Sequence, residues 1–150
     1  MCGRFVEDKI VLVDGCSFFK IAHNGIQLSN IVPQNKKSFI IDTSLFLIEY
    51  CIRKLPVEHR DQARKEINKA LNDVAILRFS KYIENTTCVY CELKTFLNGH
   101  NASLTMEAES IALLSTYLNA SVLIKNNSVL HKYLSAYNKF NSGIEIITYK

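Results

Sequence analysis

No stretch of this 150-residue chain stays apolar long enough to cross a bilayer. The opening "MCGRFVEDKIVLV" has no basic region followed by a long apolar run, so no secretory leader is expected. A cytoplasmic location, with no membrane partner, follows as the expectation. Four N-x-S/T sequons, at Asn85, Asn101, Asn119 and Asn126, then mean only that the sequence is rich in Asn. A polybasic tail is also missing: 18 Lys and Arg against 14 Asp and Glu give +4, spread along the chain. That charge permits a nucleic-acid partner without demanding one. The five cysteines, Cys2, Cys16, Cys51, Cys88 and Cys91, are an odd number, which argues against a disulfide framework in an intracellular chain. Cys88-Val-Tyr-Cys91 has zinc-like spacing, but no second CxxC and no HxxxH follows it, so two small residues on one helix is the better reading. There is no repeat and no low-complexity segment.

What is present is an ordinary globular balance, 48% hydrophobic and 21% charged, in a chain long enough to bury a core. Residues 1–37 differ in character from the rest. Short β-prone runs alternate there with Asp14-Gly15 and Asn24-Gly25, which are strong hairpin dipeptides. They predict a β-hairpin or meander, an N-terminal extension to a domain spanning 38–150. From residue 38 strands and helices alternate. "SFIID" reads as a strand and "SLFLIEYCIRKL" as an apolar helix. Pro56 suits the start of "PVEHRDQARKEINKALNDV". "ILRFSKYI" is ambiguous, with a short strand expected at its end. Helices follow in "TTCVYCELKTFL", "MEAESIALLSTYL" and "SVLHKYLSAYNKF", and strands in "ASVLIK" and "IEIITY". Such alternation predicts an α/β fold with a mostly parallel sheet between two helical layers.

Ligand sites in open α/β sheets lie at the carboxyl ends of strands. Asp42 stands at such an end, where it could also simply cap the following helix. Glu92 falls early in the Cys88-to-Leu97 helix, where a solvent-facing position is the plain alternative. Glu107 and Glu109 fall in the first turns of "MEAESIALL", where the helix dipole alone favours acids. Gathered on one edge, these carboxylates would repel one another unless divalent cations lay between them, and hard oxygen donors suit Mg²⁺ or Mn²⁺.

With these stations in place, residues 38–150 resemble the PIN-domain family, metal-dependent ribonucleases of a three-layer α/β/α fold. "FIIDTSLFL" is similar to the family's first strand with its Asp, at Asp42, followed by a hydroxyl residue, Thr43 or Ser44. "CELKTFL" resembles the second station, at Glu92-Leu93. "MEAESIALL" resembles the third, placing Glu107 there with Glu109 beside it. The family usually carries one more Asp after "VLI"; this chain has Lys125, Asn126, Asn127 and Ser128, and no Asp after Asp73. The amides of Asn126 and Asn127 are then candidate ligands in its place, and Glu109 is the candidate to supply the missing carboxylate to the metal. The resemblance implies an endoribonuclease acting on single-stranded or structured RNA with Mg²⁺ or Mn²⁺. Asp42, Glu92 and Glu107 would hold the metal, Thr43 or Ser44 would bond the phosphate, Lys94 and Lys125 would hold neighbouring phosphates, and Tyr82 and Tyr90 would stack on bases. A homodimer and an inhibitory or scaffold protein are further partners it implies. Two rivals stand beside this reading. One is a PIN-like module that binds partners or nucleic acid with weakened chemistry. The other is a DNA-directed nuclease of the same fold, for which the basic helical clamps are missing. Asp14 also ends a strand-like run, "IVLVD", but taking it as the first station makes Glu49, inside an apolar helix, the next acid. Asp14 is therefore read as a hairpin-turn residue.

Overall fold

The computed structural model describes residues 10–125, 128–141 and 144–149. Five short apolar runs become strands: β1 (Ile10–Val13), β2 (Lys37–Ile41), β3 (Ala75–Leu77), β4 (Ser121–Lys125) and β5 (Ile146–Tyr149). They form one sheet in the order β3-β2-β1-β4-β5, parallel throughout. A parallel sheet must be covered on both faces, and the alternation of side chains along each strand supplies two apolar surfaces. Leu12, Ile41, Val122 and Ile124 face one layer, made by α4 (Thr87–Gly99), α5 (Met106–Leu118) and α6 (Val129–Asn141). Val11, Val13, Ile40 and Leu123 face the other, made by α1 (Gly15–His23), α2 (Ser44–Arg53) and α3 (Val57–Leu71). The three-layer α/β/α architecture expected from strand–helix alternation is the one observed. Among the described residues no helix is long and apolar enough to cross a membrane.

The N-terminal segment is where the structure departs from the expectation. The described part of 1–37 is not a β-hairpin or meander: β1 is the central strand of the sheet, and Gly15 opens a helix. Residues 1–9 lie outside the described part. The physical reason is at Asp14. Its backbone is extended, and its Oδ1 accepts a hydrogen bond from the Ser17 amide at 3.0 Å, so it caps α1 instead of turning a hairpin. Phe18, Ile21 and Ala22 then fall on one buried face. Asn24-Gly25 does turn the chain, as a helix ending, with Gly25 at φ +73°. The ambiguous run after residue 75 is a strand at its beginning, Ala75–Leu77, followed by a 3₁₀ turn over Phe79–Tyr82, which reverses the expected order. Other boundaries follow their sequence signals. Thr105 caps α5 through the Ala108 amide, and Asn119 ends that helix in the left-handed region.

A central β1 makes a sharp prediction. Leu12 is fully buried, so Leu12→Ala should lower unfolding free energy by about 2–5 kcal/mol. Urea denaturation measures it. A loss well under about 1 kcal/mol is what a dispensable appendage would give.

Candidate functional site

The carboxyl edge of β1 is crowded, and that crowding builds the site. Gly15 follows Asp14 where the chain passes under the start of α2. A Cβ added there would lie 2.9 Å from the Ser44 carbonyl, 3.0 Å from Glu107 Oε2 and 3.2 Å from Leu47 Cβ. Only glycine leaves room for a carboxylate to reach the backbone. Glu107, in the first turn of α5, uses that room: its Oε2 accepts from the Gly15 amide at 2.6 Å and from Ser44 Oγ at 2.6 Å. Ser44 is fully buried, so the hydroxyl is committed to this contact.

Asp14 and Glu107 are thereby held side by side, each by one oxygen. Asp14 Oδ2 and Glu107 Oε1 make no hydrogen bond or ion pair among the described residues. Both acids titrate above their usual range. Burial is the main cause for Asp14, opposed by the hydrogen bonds from Ser17 and by the charge of Lys20. For Glu107 burial again leads; the Ser44 hydrogen bond opposes it, the charge of Asp14 adds to it, and the Gly15 amide opposes it.

The pair borders a cleft of about 550 Å³ between the starts of α1, α5 and α6 and the ends of β4 and β5. Lys20 and Lys125 line it, as do Cys16, Ser17, Ser128 and Tyr149. Burial first, then the neighbouring Cys51 and Asp14, push the Cys16 thiol up to about 12, so it stays protonated. The hydroxyls of Ser17 and Tyr149 are buried and meet no hydrogen-bond partner of good geometry, although Ser17 lies close enough to hold the Tyr149 phenol down against the dominant effect of burial. Buried hydroxyls of this kind are uncommon and point into the space a polar ligand would fill.

The expected trio of Asp42, Glu92 and Glu107 is not brought together. Glu107 lines the cleft; Asp42 and Glu92 do not. Asp42 does follow a strand at the same edge, but register sends it elsewhere. Leu12 stands opposite Phe39, so two residues on Asp14 stands beside Ile41, the last residue of β2, and Asp42 lies one residue further on. There its Oδ1 accepts from the Phe79 amide at 3.1 Å. Glu92 is exposed because Leu93 and Leu97 take the buried face of α4. Glu109 is ion-paired with Lys94 at 2.7 Å, and Lys94 lies over Tyr90; Glu109 and Tyr90 both border a separate groove between α4 and α5. Thr43 Oγ1 is buried without a partner, while Ser44 is in the site as Glu107's donor. Tyr82 packs edge-on against Tyr117. Lys125 lines the cleft. Asn126 and Asn127 lie outside the described residues. Glu49, the next acid in the rival alignment, is held by Arg64 and Arg53 down to about 2.

Sequence reasoning weighs Asp14 as a first station and sets it aside, with Gly15, as a hairpin turn, yet both stand at the edge of the cleft. Their signal was in plain view: "IVLVD" is an apolar run ending in an acid, the same mark that singled out Asp42. Among the described residues no three His, Cys, Asp or Glu side chains are grouped as metal ligands.

No family model matches the chain, and no curated protein matches it. Among solved structures, a chain in the crystal structure of VapBC2 from Rickettsia felis bound to a DNA fragment from their promoter is similar. The likeness covers 94% of this chain and 99% of that one, at 18% identity and a TM-score of 0.67. At that identity it establishes the fold: an all-parallel, five-stranded α/β/α domain of the PIN-like kind.

Proposed function

We propose that the chain is a divalent-metal-dependent endoribonuclease whose metal is held by Asp14 and Glu107. The observation that carries this reading is the pair itself: two half-buried carboxylates at the edge of one cleft, each anchored through one oxygen. Both are disfavoured as anions by burial, and a hard cation is the group that would reverse that penalty. The donor set fits Mg²⁺ or Mn²⁺, which are commonly bound through one or two carboxylates with waters and substrate phosphates completing the shell. The resemblance to PIN-domain sequences and the PIN-like fold support the same chemistry, with the acid at the first station moved from Asp42 to Asp14. Asp42 and Glu92 then have no metal-holding role, Glu109 is neutralised by Lys94, and Asn126 and Asn127 remain candidate amide ligands after β4.

When bound, such a metal supplies an activated water and polarises a phosphodiester oxygen for hydrolysis. The chain's own groups do the rest. Gly15 and Ser44 fix Glu107 so that one oxygen faces the cleft. Lys20 and Lys125 offer charge to phosphates flanking the scissile bond. The hydroxyls of Ser17 and Tyr149, which meet no partner of good geometry, are donors for a phosphate oxygen. A cleft open to solvent and lined by only two lysines fits a single RNA strand better than a clamped duplex. A homodimer and an inhibitory or scaffold protein remain the protein partners of this reading.

One observation favours a second reading, a PIN-like module that binds without cutting: the described residues gather two carboxylates at the site and no third. The two readings separate by experiment. Labelled single-stranded RNA should be cleaved with Mn²⁺ and more slowly with Mg²⁺. Ser44→Ala, which loosens Glu107, should lose about 10–100-fold, as outer partners of metal ligands do. Asp14→Asn and Glu107→Gln should lose more than that, while Asp42→Asn and Glu92→Gln stay close to wild type. Equal residual rates in wild type and Asp14→Asn would mean contamination, and the binding module would then be the function.

The raised acids also set a stability profile. A carboxyl whose folded pKa exceeds its unfolded value holds more protons when folded, so stability falls as pH rises from the unfolded pKa through the folded one. Metal-free protein should therefore lose stability from Asp14 and Glu107 as pH climbs above about 4. Mn²⁺ should restore it, raising the melting temperature markedly at pH 7.5 and hardly at pH 4.5. Glu107→Gln should melt no lower than wild type at pH 7.5 without metal and should lose the Mn²⁺ response. An Mn²⁺ shift of equal size in Glu107→Gln would remove the acid pair from metal binding.

A further inference from the structure

A groove of about 340 Å³ opens between the 3₁₀ turn at Phe79–Tyr82 and the starts of α4 and α5. Phe79, Ile83, Tyr90, Met106 and Leu113 make its apolar walls. Three of these stay open to water: Ile83 is 54% exposed, Tyr90 40% and Met106 76%. The hydroxyls along the groove do little to soften it. Thr86, Thr87 and Ser110 each donate to the backbone carbonyl four residues earlier. A concave apolar site of this size with one charged group among its lining is the ordinary form of a small-ligand site.

Glu109 is that charged group, and it comes with a partner. Lys94 donates to its Oε2 at 2.7 Å, and the same ammonium lies over the Tyr90 ring, 5.6 Å from its centre. An acceptor and a donor are thus fixed side by side next to an aromatic ring. The Watson–Crick edge of an unpaired base presents the complement, an N–H or amino group beside a ring nitrogen or carbonyl oxygen. Aromatic rings and a polarisable thioether suit its flat faces. An apolar protein side chain would fill the walls and leave the ion pair without a use. Position agrees with chemistry. Glu107 and Glu109 stand two apart on α5 and so leave the helix on nearly opposite sides. Glu107 lines the cleft of the acid pair and Glu109 lines this groove, with one helix, about 10–12 Å across, between them.

We propose that the groove between α4 and α5 takes one unpaired base of an RNA strand, held against Tyr90 and Met106 with its edge on the Glu109–Lys94 pair. The source of that base rests on the nuclease reading: a strand with a phosphate at Asp14 and Glu107 need cross only the first turn of α5 to reach the groove. The groove then fixes the strand's register over the cleft. A duplex, whose base edges are already paired, is refused.

Met106 supplies the readout, because Met1 is the only other methionine of the chain. The full chain, labelled with ¹³C-methyl methionine, is titrated with a short single-stranded RNA of mixed sequence, with a chelator and no divalent metal. The expected result is a saturable shift of the Met106 methyl signal under the ring current of a base. A strand of the same length with abasic ribose phosphates should not produce it, nor should the same sequence as a duplex. Tyr90→Ala should weaken single-strand binding about 10-fold, the loss of one stacked base, and Tyr90→Phe should keep it. Glu109→Leu should shrink the preference for the normal strand over the abasic one. An unmoved Met106 signal, an equal shift with the abasic strand or the duplex, or wild-type affinity in Tyr90→Ala overturns the proposal. The nuclease reading stands or falls separately. RNA cleavage lost in Asp14→Asn beside an unmoved Met106 keeps the nuclease and removes the base subsite. A base-dependent Met106 shift in a chain that cuts no RNA does the reverse.

Discussion

The placement of one carboxylate against one backbone amide governs the edge of this sheet. Glu107 reaches Gly15 because position 15 has no side chain, and it stays there because Ser44 donates to the same oxygen. Three elements distant in sequence are joined by these two bonds: the start of α1, the start of α2 and the first turn of α5. The contact decides where the second acid, Asp14, can stand. Asp14 is fixed by its own helix, through the Ser17 amide, and its charge is felt at Glu107. A Cβ at position 15 would push Glu107 away and separate the pair.

The acids elsewhere show how unusual this placement is. Glu49 is gripped by Arg64 and Arg53, Glu109 by Lys94 and Glu145 by Lys36, and Glu66 is bonded to His23. These are half-buried or surface contacts of modest worth, but each satisfies its carboxylate. Asp14 and Glu107 are more deeply placed and form hydrogen bonds but no ion pair among the described residues, with the charge of Lys20 acting on Asp14. Stability alone gives no reason to leave two anions so poorly compensated, since replacing them by apolar or amide side chains would remove the penalty. Strain of this kind at a strand's carboxyl end, beside a cleft, is the pattern expected where function opposes stability.

Much of the fold was legible because its signals are local. Pro56, Thr105 and Asn119 mark helix ends by their own chemistry, and the apolar runs of β2, β4 and β5 are bounded by polar residues. The place of Glu107 in the first turn of α5 was also legible, since an acid there after a loop is easily seen. What escaped was non-local. Asp14-Gly15 has the same letters whether it turns a hairpin or caps a helix. The deciding fact is that Glu107, some ninety residues on, needs the empty space at Gly15. The failure at Asp42 has the same character. A strand ending in an acid says nothing about which face the acid takes; that depends on the β1–β2 register, in which Asp14 stands beside Ile41 and Asp42 falls one residue out of step. Glu92 was misjudged for a simpler reason: Leu93 and Leu97 claim the core face of α4, and the residue before Leu93 is turned to solvent.

The end of β4 completes the electrostatic argument. PIN-like sequences usually place an acid after this strand, and here the position is Lys125, exposed at its end and lining the cleft. A lysine there cannot ligate a cation, and its charge opposes one. On the nuclease reading its charge would instead serve a phosphate. With Lys20 this lysine lines the same cleft as the acid pair, so two cations and two carboxylates share that space. A free divalent ion gains less from such a site than from a cluster of four acids. An ion arriving with a phosphodiester gains more, because the phosphate meets the lysines while the metal meets the carboxylates. On the nuclease reading, metal and nucleic acid would therefore strengthen each other's binding, two carboxylates, waters and a substrate phosphate together making up the shell of Mg²⁺ or Mn²⁺.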